Sequence, residues 1–301
     1  MIAKPRKKPN ELIAYEYLSK RKPLTEEEKK RYRSLAKGFE GEVMFDTYLD
    51  KLKGEHIILK DLFLHHSKYC QIDTILLKNG KIFLFEIKTS KGEYYWHDDK
   101  LWLVNDVEID NPIAQRDRAH SVLRRLLQSL NINLPLLSYV IFVNPPECSI
   151  FQAPLDKQLI LPTQINRFIM HFPATAKITS QEKQASEKLL TNHIEHPPFN
   201  PFPTYPYEEL QKGIPCDQCG EMNTHPKKQS IECRLCNYIE KGSDAIIRVC
   251  KEHQFLFPER KITSSAIYHW CGKLVSKRRI FRILEQYYDK RGEHRWIYFE
   301  K

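Results

Sequence analysis

The chain has 301 residues, 41% of them hydrophobic and 29% charged. That balance fits a soluble globular protein and excludes collagen, wholesale disorder and a disulfide-dense miniprotein. At roughly 100–200 residues per domain, the length predicts two or three domains. The longest apolar stretch, 134–143, is about half of the roughly 20 residues a membrane-spanning helix needs. The opening MIAKPRKKPN lacks the hydrophobic core of a signal peptide. A cytoplasmic protein without a membrane partner is expected. The net charge of +10 is unevenly spread: +7 over residues 1–37, +6 over 261–301 and −3 between them. Basic ends on a slightly acidic body predict a polyanionic partner, nucleic acid first.

Residues 1–24 read as a basic N-terminal arm with a short helix near Leu12 to Leu18. Thr25 and Glu28 form a capping box, which predicts a long helix to about Leu52. Short strands follow near 56–63, 70–77, 81–88, 93–97 and 101–104. Asn111-Pro112 opens a second helix to Leu130, with Ala119, Val122, Leu123, Leu126 and Leu127 on its apolar face. Leu137 to Val143 reads as a buried strand ending at Asn144-Pro145-Pro146, and weaker helices are expected near 163–171 and 180–190. This first domain covers 25–195. Five prolines in His196 to Pro206 make 196–209 a semi-rigid linker.

Asn79-Gly80 between two apolar runs is the strongest short hairpin signal. A two-residue turn there sets Lys78 against Lys81, Asp73 against Glu86 and Gln71 against Lys88. Side chains alternate along a strand, so Gln71, Asp73, Glu86 and Lys88 share one face at the open end. Facing carboxylates destabilise a ladder. A hard divalent cation, Mg²⁺ or Mn²⁺, gives them a reason to be there. Glu42 lies on the apolar stripe Leu35, Phe39, Phe45, Leu49, Leu52, where an unpaired carboxylate is costly, and Gly38 and Gly41 beside it permit a close approach. Gln115 sits near the positive end of the second helix.

Four blocks in this order resemble the NERD (nuclease-related) domain: Gly38-Phe39-Glu40-Gly41-Glu42, Gln71-Ile72-Asp73, Glu86-Ile87-Lys88 and Asn111-Pro112-Ile113-Ala114-Gln115. That family resembles the PD-(D/E)xK nuclease superfamily. The blocks span about 35–145 of the chain. The resemblance implies an α/β fold, a mixed sheet flanked by helices, and a metal-dependent phosphodiesterase core. Asp73 and Glu86 match its metal-binding acids, Lys88 its catalytic lysine, Glu42 the acid of its first helix, which joins Asp73 and Glu86 as an expected Mg²⁺ or Mn²⁺ ligand, and Gln115 a further motif position counted with the catalytic set. Asp73 is followed by Thr74, where a His or similar residue is the pattern, a departure that concerns local substrate contacts and not the metal site.

Cys216-x₂-Cys219-x₁₃-Cys233-x₂-Cys236 has the spacing of a structural zinc site. It predicts a small four-Cys zinc ribbon over 210–242 that depends on Zn²⁺ to fold. Residues 243–301 hold a helix from Asp244 to Gln254, a helix capped by Thr263 and ended by Gly272, and a basic helix capped by Ser276. An Arg291-Gly292 turn and a strand from Trp296 to Phe299 follow. The order resembles a helix-turn-helix, and with its hairpin a winged-helix DNA-binding domain. Lys277, Arg278, Arg279 and Arg282 open the expected recognition helix, and Arg291 stands at the wing. Together these features predict a metal-dependent nuclease acting on nucleic acid, DNA ahead of RNA. A non-enzymatic DNA-binding regulator on a nuclease-like scaffold and an RNA-processing protein are the alternatives.

Overall fold

A computed structural model describes residues 1–144, 148–155, 158–195, 197–198 and 202–300. In chain order the elements are β1 (Ile2–Lys4), α1 (Asn10–Leu18), α2 (Glu26–Leu49), β2 (Ile57–His66), β3 (Lys68–Lys78), β4 (Lys81–Lys88), β5 (Gly92–His97), β6 (Lys100–Leu103) and β7 (Glu108–Ile109). They continue with α3 (Pro112–Ser129), β8 (Leu136–Phe142), β9 (Cys148–Phe151), β10 (Leu159–Ile160), α4 (Ile165–Met170) and α5 (Ser180–Thr191). The last third holds β11 (Thr224–Lys227), β12 (Ser230–Cys233), β13 (Ile239–Lys241), α6 (Gly242–Leu256), α7 (Ser264–Trp270), α8 (Lys277–Tyr287), β14 (Asp289–Arg291) and β15 (Tyr298–Glu300). Two compact units result: residues 1–9 with 33–200, and residues 10–32 with 201–301.

The first unit is α/β. Its six-stranded mixed sheet runs β1-β2-β3-β4-β8-β10, with β3 and β4 antiparallel and β4 and β8 parallel. One sheet face packs Ile57, Leu59, Ile75, Leu77, Ile82 and Leu84 against Ala119, Leu123, Leu126 and Leu127 of α3 and Ala185 and Leu189 of α5. The other packs Ile58, Leu76, Phe83, Phe85 and Ile141 against Phe45 and Leu49 of α2 and Ile165 and Ile169 of α4. Period-2 alternation thus fills both faces. Asn79 and Gly80 both have positive φ, 54° and 69°, as a tight hairpin turn requires. Glu182 caps its own helix and also accepts from the Gly80 amide (2.9 Å). The expected strands 93–97 and 101–104 lie outside this sheet, in a separate four-stranded one ordered β7-β6-β5-β9.

The capping box is formed. The Glu28 amide donates to Thr25 Oγ1 (3.2 Å), and the Thr25 amide to Glu28 (2.9 Å). Residues 1–24 do not make a separate arm. Residues 1–9 add β1 to the large sheet and residues 10–24 belong to the second unit.

In the second unit a single core joins Leu18 of α1, Ile214 and Ile231 of the cysteine-bearing segment, and Ile246, Ile267, Trp270, Ile280 and Leu284 of the three helices. The ribbon over 210–242 and the helices over 243–301, separate in the sequence reading, share that core. Arg21 pairs with Glu252 inside it (2.6 Å), both nearly inaccessible to water. Of the expected linker, residues 196 and 199–201 lie outside the described residues, as do Pro145 and Pro146. Tyr205 and Tyr207 pack edge-on against Phe257. Among the described residues, no helix is long and apolar enough to cross a membrane.

Candidate active site and zinc centre

The hydrogen-bonded ladder between β3 and β4 ends at Thr74 opposite Phe85. One residue further, in the register expected from the sequence, Asp73 meets Glu86. There β4 leaves β3 and continues only along β8, with Glu86 opposite Val140 and Lys88 opposite Phe142. The Asp73 carboxylate turns into the gap and accepts from the freed Ile87 amide (2.7 Å). Lys88 donates to Glu86 (2.8 Å) and to the Gln115 amide oxygen of α3. Asp73, Glu86, Lys88 and Gln115 are therefore brought together. Gln71 is exposed on the rim.

Burial, with Glu86 and Glu42 nearby, pushes the Asp73 carboxyl well above the usual carboxylate range, although the Ile87 amide and Lys88 act the other way. The Cys70 thiol is pushed up to about 11 by burial and by Glu86 and Asp73. A cation bound beside these carboxyls would offset both their burial and their mutual repulsion.

Glu42 reaches the site by a route the sequence did not reveal. Arg6, on the segment after β1, donates from Nη1 to Glu42 (2.7 Å), from Nε to Asp46 (3.0 Å) and from Nη2 to Thr74 Oγ1 (2.9 Å) and the Asp73 carbonyl (3.2 Å). It also pairs with Asp61. Burial, opposed by Arg6 and reinforced by Asp61 and Asp46, raises the Glu42 carboxyl to about 7. Thr74, the departure from the family pattern, is fully buried and faces Arg6. No spacing rule connects position 6 to positions 42, 46, 61 and 74. Glu42 and Asp46, four apart on α2, were the only local hint. Gly41 does allow the close approach expected of it, since a Cβ there would collide with the Thr89 side chain just past β4, whereas Gly38 has open space around it.

The segment carrying this geometry can be placed. Residues 37–143 match the nuclease-related domain family, NERD. The NERD match covers a little over a third of the chain and contains Glu42, Asp73, Glu86, Lys88 and Gln115, but not Arg6. No curated protein and no solved structure is significantly similar to the chain. Within the NERD segment Glu42, Asp73 and Glu86 do not close as tightly as a complete ligand set. Among the described residues only the four cysteines gather three or more such ligand atoms within 4.8 Å of one another. Asp73 and Glu86 remain suited to an ion that takes one or two carboxylates and completes its shell with water and phosphate.

Cys216, Cys219, Cys233 and Cys236 are that cysteine cluster, and none is in a disulfide. The Sγ separations of 3.6 Å (Cys216–Cys236) and 3.7 Å (Cys219–Cys233) match the edge of about 3.8 Å of a tetrahedron with Zn–S bonds of about 2.3 Å. Each knuckle closes through a residue of positive φ, Gly220 (78°) and Asn237 (60°). The cluster is compatible with structural zinc.

The basic residues of the last 60 positions fare differently from one another. Arg278 and Arg282 are exposed on α8 with no partner among the described residues. Arg279 instead donates to the carbonyls of Lys228 (2.8 Å) and Gln229 (2.7 Å) in the β11–β12 turn, so its guanidinium ties the ribbon to α8. Lys277 sits over the Tyr268 ring (5.3 Å), and Arg291 lies 3.5 Å from Glu300 and 3.8 Å from Asp289.

Proposed function

We propose that the protein is a Mg²⁺- or Mn²⁺-dependent nuclease that hydrolyses phosphodiester bonds, DNA ahead of RNA, with Asp73 and Glu86 as the metal-holding pair. The observation that carries this reading is the meeting of Asp73, Glu86, Lys88 and Gln115 where β4 parts from β3, inside a segment that matches the nuclease-related domain. A divalent cation held there supplies Lewis acidity at the phosphoryl oxygens and an acidified water. The chain's own residues do the rest. The Ile87 amide fixes the Asp73 carboxylate. Glu86 and Gln115 hold the Lys88 ammonium, which neutralises a phosphate oxygen or orients the attacking water. Glu42 contributes from α2 through its hold on Arg6.

Targeting is assigned to the second unit. The order α6, a bridge at Ile262 to Phe299, α7, α8 and the β14–β15 hairpin supports a winged-helix-like module beside the zinc ribbon. Arg278 and Arg282 are its free cations for phosphate. Eight free cysteines fit a reducing compartment, so a cytoplasmic location belongs to the proposal.

The test is cleavage of labelled DNA and RNA with Mg²⁺, with Mn²⁺ and with chelator, beside a binding assay in calcium. Glu86→Ala and Asp73→Asn should abolish cleavage and keep binding. Lys88→Ala should lose cleavage and keep metal binding, since an ammonium is not a ligand. One observation favours a second reading, a nucleic-acid-binding regulator: Arg6 already satisfies Glu42. Cleavage by Glu86→Ala at the parent rate would leave that reading standing.

A further inference from the structure

Resting on the phosphodiesterase reading, we propose that the groove between the tip of the β2–β3 hairpin and α3 binds the sugar–phosphate backbone of a nucleic-acid strand entering the carboxylate site, with Arg118 and Arg125 holding its phosphates. The groove encloses about 650 Å³, and Glu86 and Gln115 are part of its lining, so it opens onto the site. Positions 115, 118, 122 and 125 of α3 follow the helical spacing that puts them on one face, and all four line the groove. At about 1.5 Å per residue, Arg118 stands about 4.5 Å beyond Gln115 and about 10.5 Å from Arg125 along the helix axis. One strand of a duplex advances about 3.4 Å per phosphate along the duplex axis, so with that axis along α3 the two arginines span about three steps.

Both arginines are exposed, and neither has a hydrogen-bond or ion-pair partner among the described residues. Lys68 adds a third cation on the hairpin side. The acid of the groove outside the catalytic set, Asp117, is already paired with Arg116 (2.9 Å). Val122 and Ala119 make the floor between the arginines apolar, so no carboxylate lies on that floor between the guanidiniums. A planar guanidinium grips phosphate through two parallel N–H groups. A phosphodiester chain satisfies both arginines and leads toward Gln115 and Glu86, the residues that hold Lys88. The groove therefore accounts for how a substrate is aligned at the site without help from the second unit.

The experiment compares full-length protein with Arg118→Ala/Arg125→Ala, binding a labelled single strand and a labelled duplex in calcium across a salt series. Two lost phosphate contacts should flatten the log–log salt slope by about 1.4 on the single strand and about 1.8 on the duplex. Arg118→Lys/Arg125→Lys should keep most of the slope. Arg124→Ala, on α3 but outside the groove, should leave it unchanged. A double-alanine slope equal to the parent's, an equal drop for Arg124→Ala, or a parent that binds neither strand overturns the proposal. A parent that binds with the expected slope changes but cleaves nothing under Mg²⁺ or Mn²⁺ supports the groove and overturns the nuclease reading alone.

Discussion

Removing Arg6 should strongly destabilise the first unit. Its side chain is only 4% exposed, and it faces the carboxylates of Glu42, Asp46 and Asp61. Arg6→Ala leaves three half-buried acids with one fewer cation and leaves the Asp73 carbonyl and Thr74 hydroxyl without their donor. Deleting one partner of a buried ion pair costs about 3–5 kcal/mol. Two features hold the figure near 3 kcal/mol. Lys60 still pairs with Asp46 (3.0 Å), and Lys4 still acts on Asp61. Glu42 also limits the loss by protonating. Its carboxyl is at about 7 with Arg6 present, and without that cation it moves higher. A group whose folded value is raised stabilises the fold below its unfolded value and loses that contribution as pH rises through the folded one. The deficit of Arg6→Ala should therefore be largest near pH 8 and shrink toward pH 5. Metal-free urea unfolding at both pH values, read by native-state hydrogen exchange of β2–β4, measures it. Arg6→Lys should recover part of the loss, because the charge returns without the fork. A deficit below about 0.5 kcal/mol at pH 8, the size of an ordinary surface substitution, would mean that Arg6 is not seated among these acids.

Other outcomes follow from features already described. Gly41→Ala should destabilise the first unit by about 1–3 kcal/mol through overpacking against Thr89, and Gly41→Ala/Thr89→Ala should recover it; equal urea midpoints for Gly41→Ala and parent would refute the close approach. Chelation of zinc, or Cys216→Ser, should unfold α6–α8 along with the ribbon because they share one core, which hydrogen exchange of those helices would report. Protection of α6–α8 surviving metal removal would separate the two. His253 is 1% exposed, and burial, aided by Arg260 and Arg21, lowers it to about 4. Its contribution is intact above about pH 6.5 and lost as pH falls toward 4, about 3 kcal/mol in all, and a flat stability of the second unit over that window would contradict it. Arg279→Ala should cost about 0.5–1.5 kcal/mol, since its two bonds are solvent-exposed, with little change in the salt slope of binding, the reverse of Arg278→Ala/Arg282→Ala.

The parts legible in the sequence were those fixed by short spacing. Asn79-Gly80 set the register that aligns Asp73 with Glu86, and the two C-x₂-C pairs set the four-cysteine cluster. The apolar period of α3 put Gln115 on the side where it meets Lys88. What stayed hidden was non-local. Arg6 finds its partners 36 to 68 residues away, and a buried guanidinium at one arginine among twelve basic residues of a charged end carries no signature. The sequence also gave no sign that β5 to β7 would leave the main sheet for β9. Arg279 looked like its neighbours in Lys277 to Arg282, yet only tertiary packing decides which side chain turns back onto the ribbon.

The Arg21–Glu252 pair bears on how the chain is made. The partners are 231 residues apart, and α1 shares its core with residues that follow position 209. At about 5–20 residues per second, a ribosome needs roughly 10–50 s to pass from one partner to the other. For that interval Leu18 of α1 and, just beyond it, Arg21 have emerged without the core that will cover them. Loop closure over such a separation is slow. Meanwhile residues 33–195 can assemble their sheet from local hairpins. The second unit should therefore fold last, and the exposed apolar face of α1 gives a holdase chaperone its opportunity while synthesis continues.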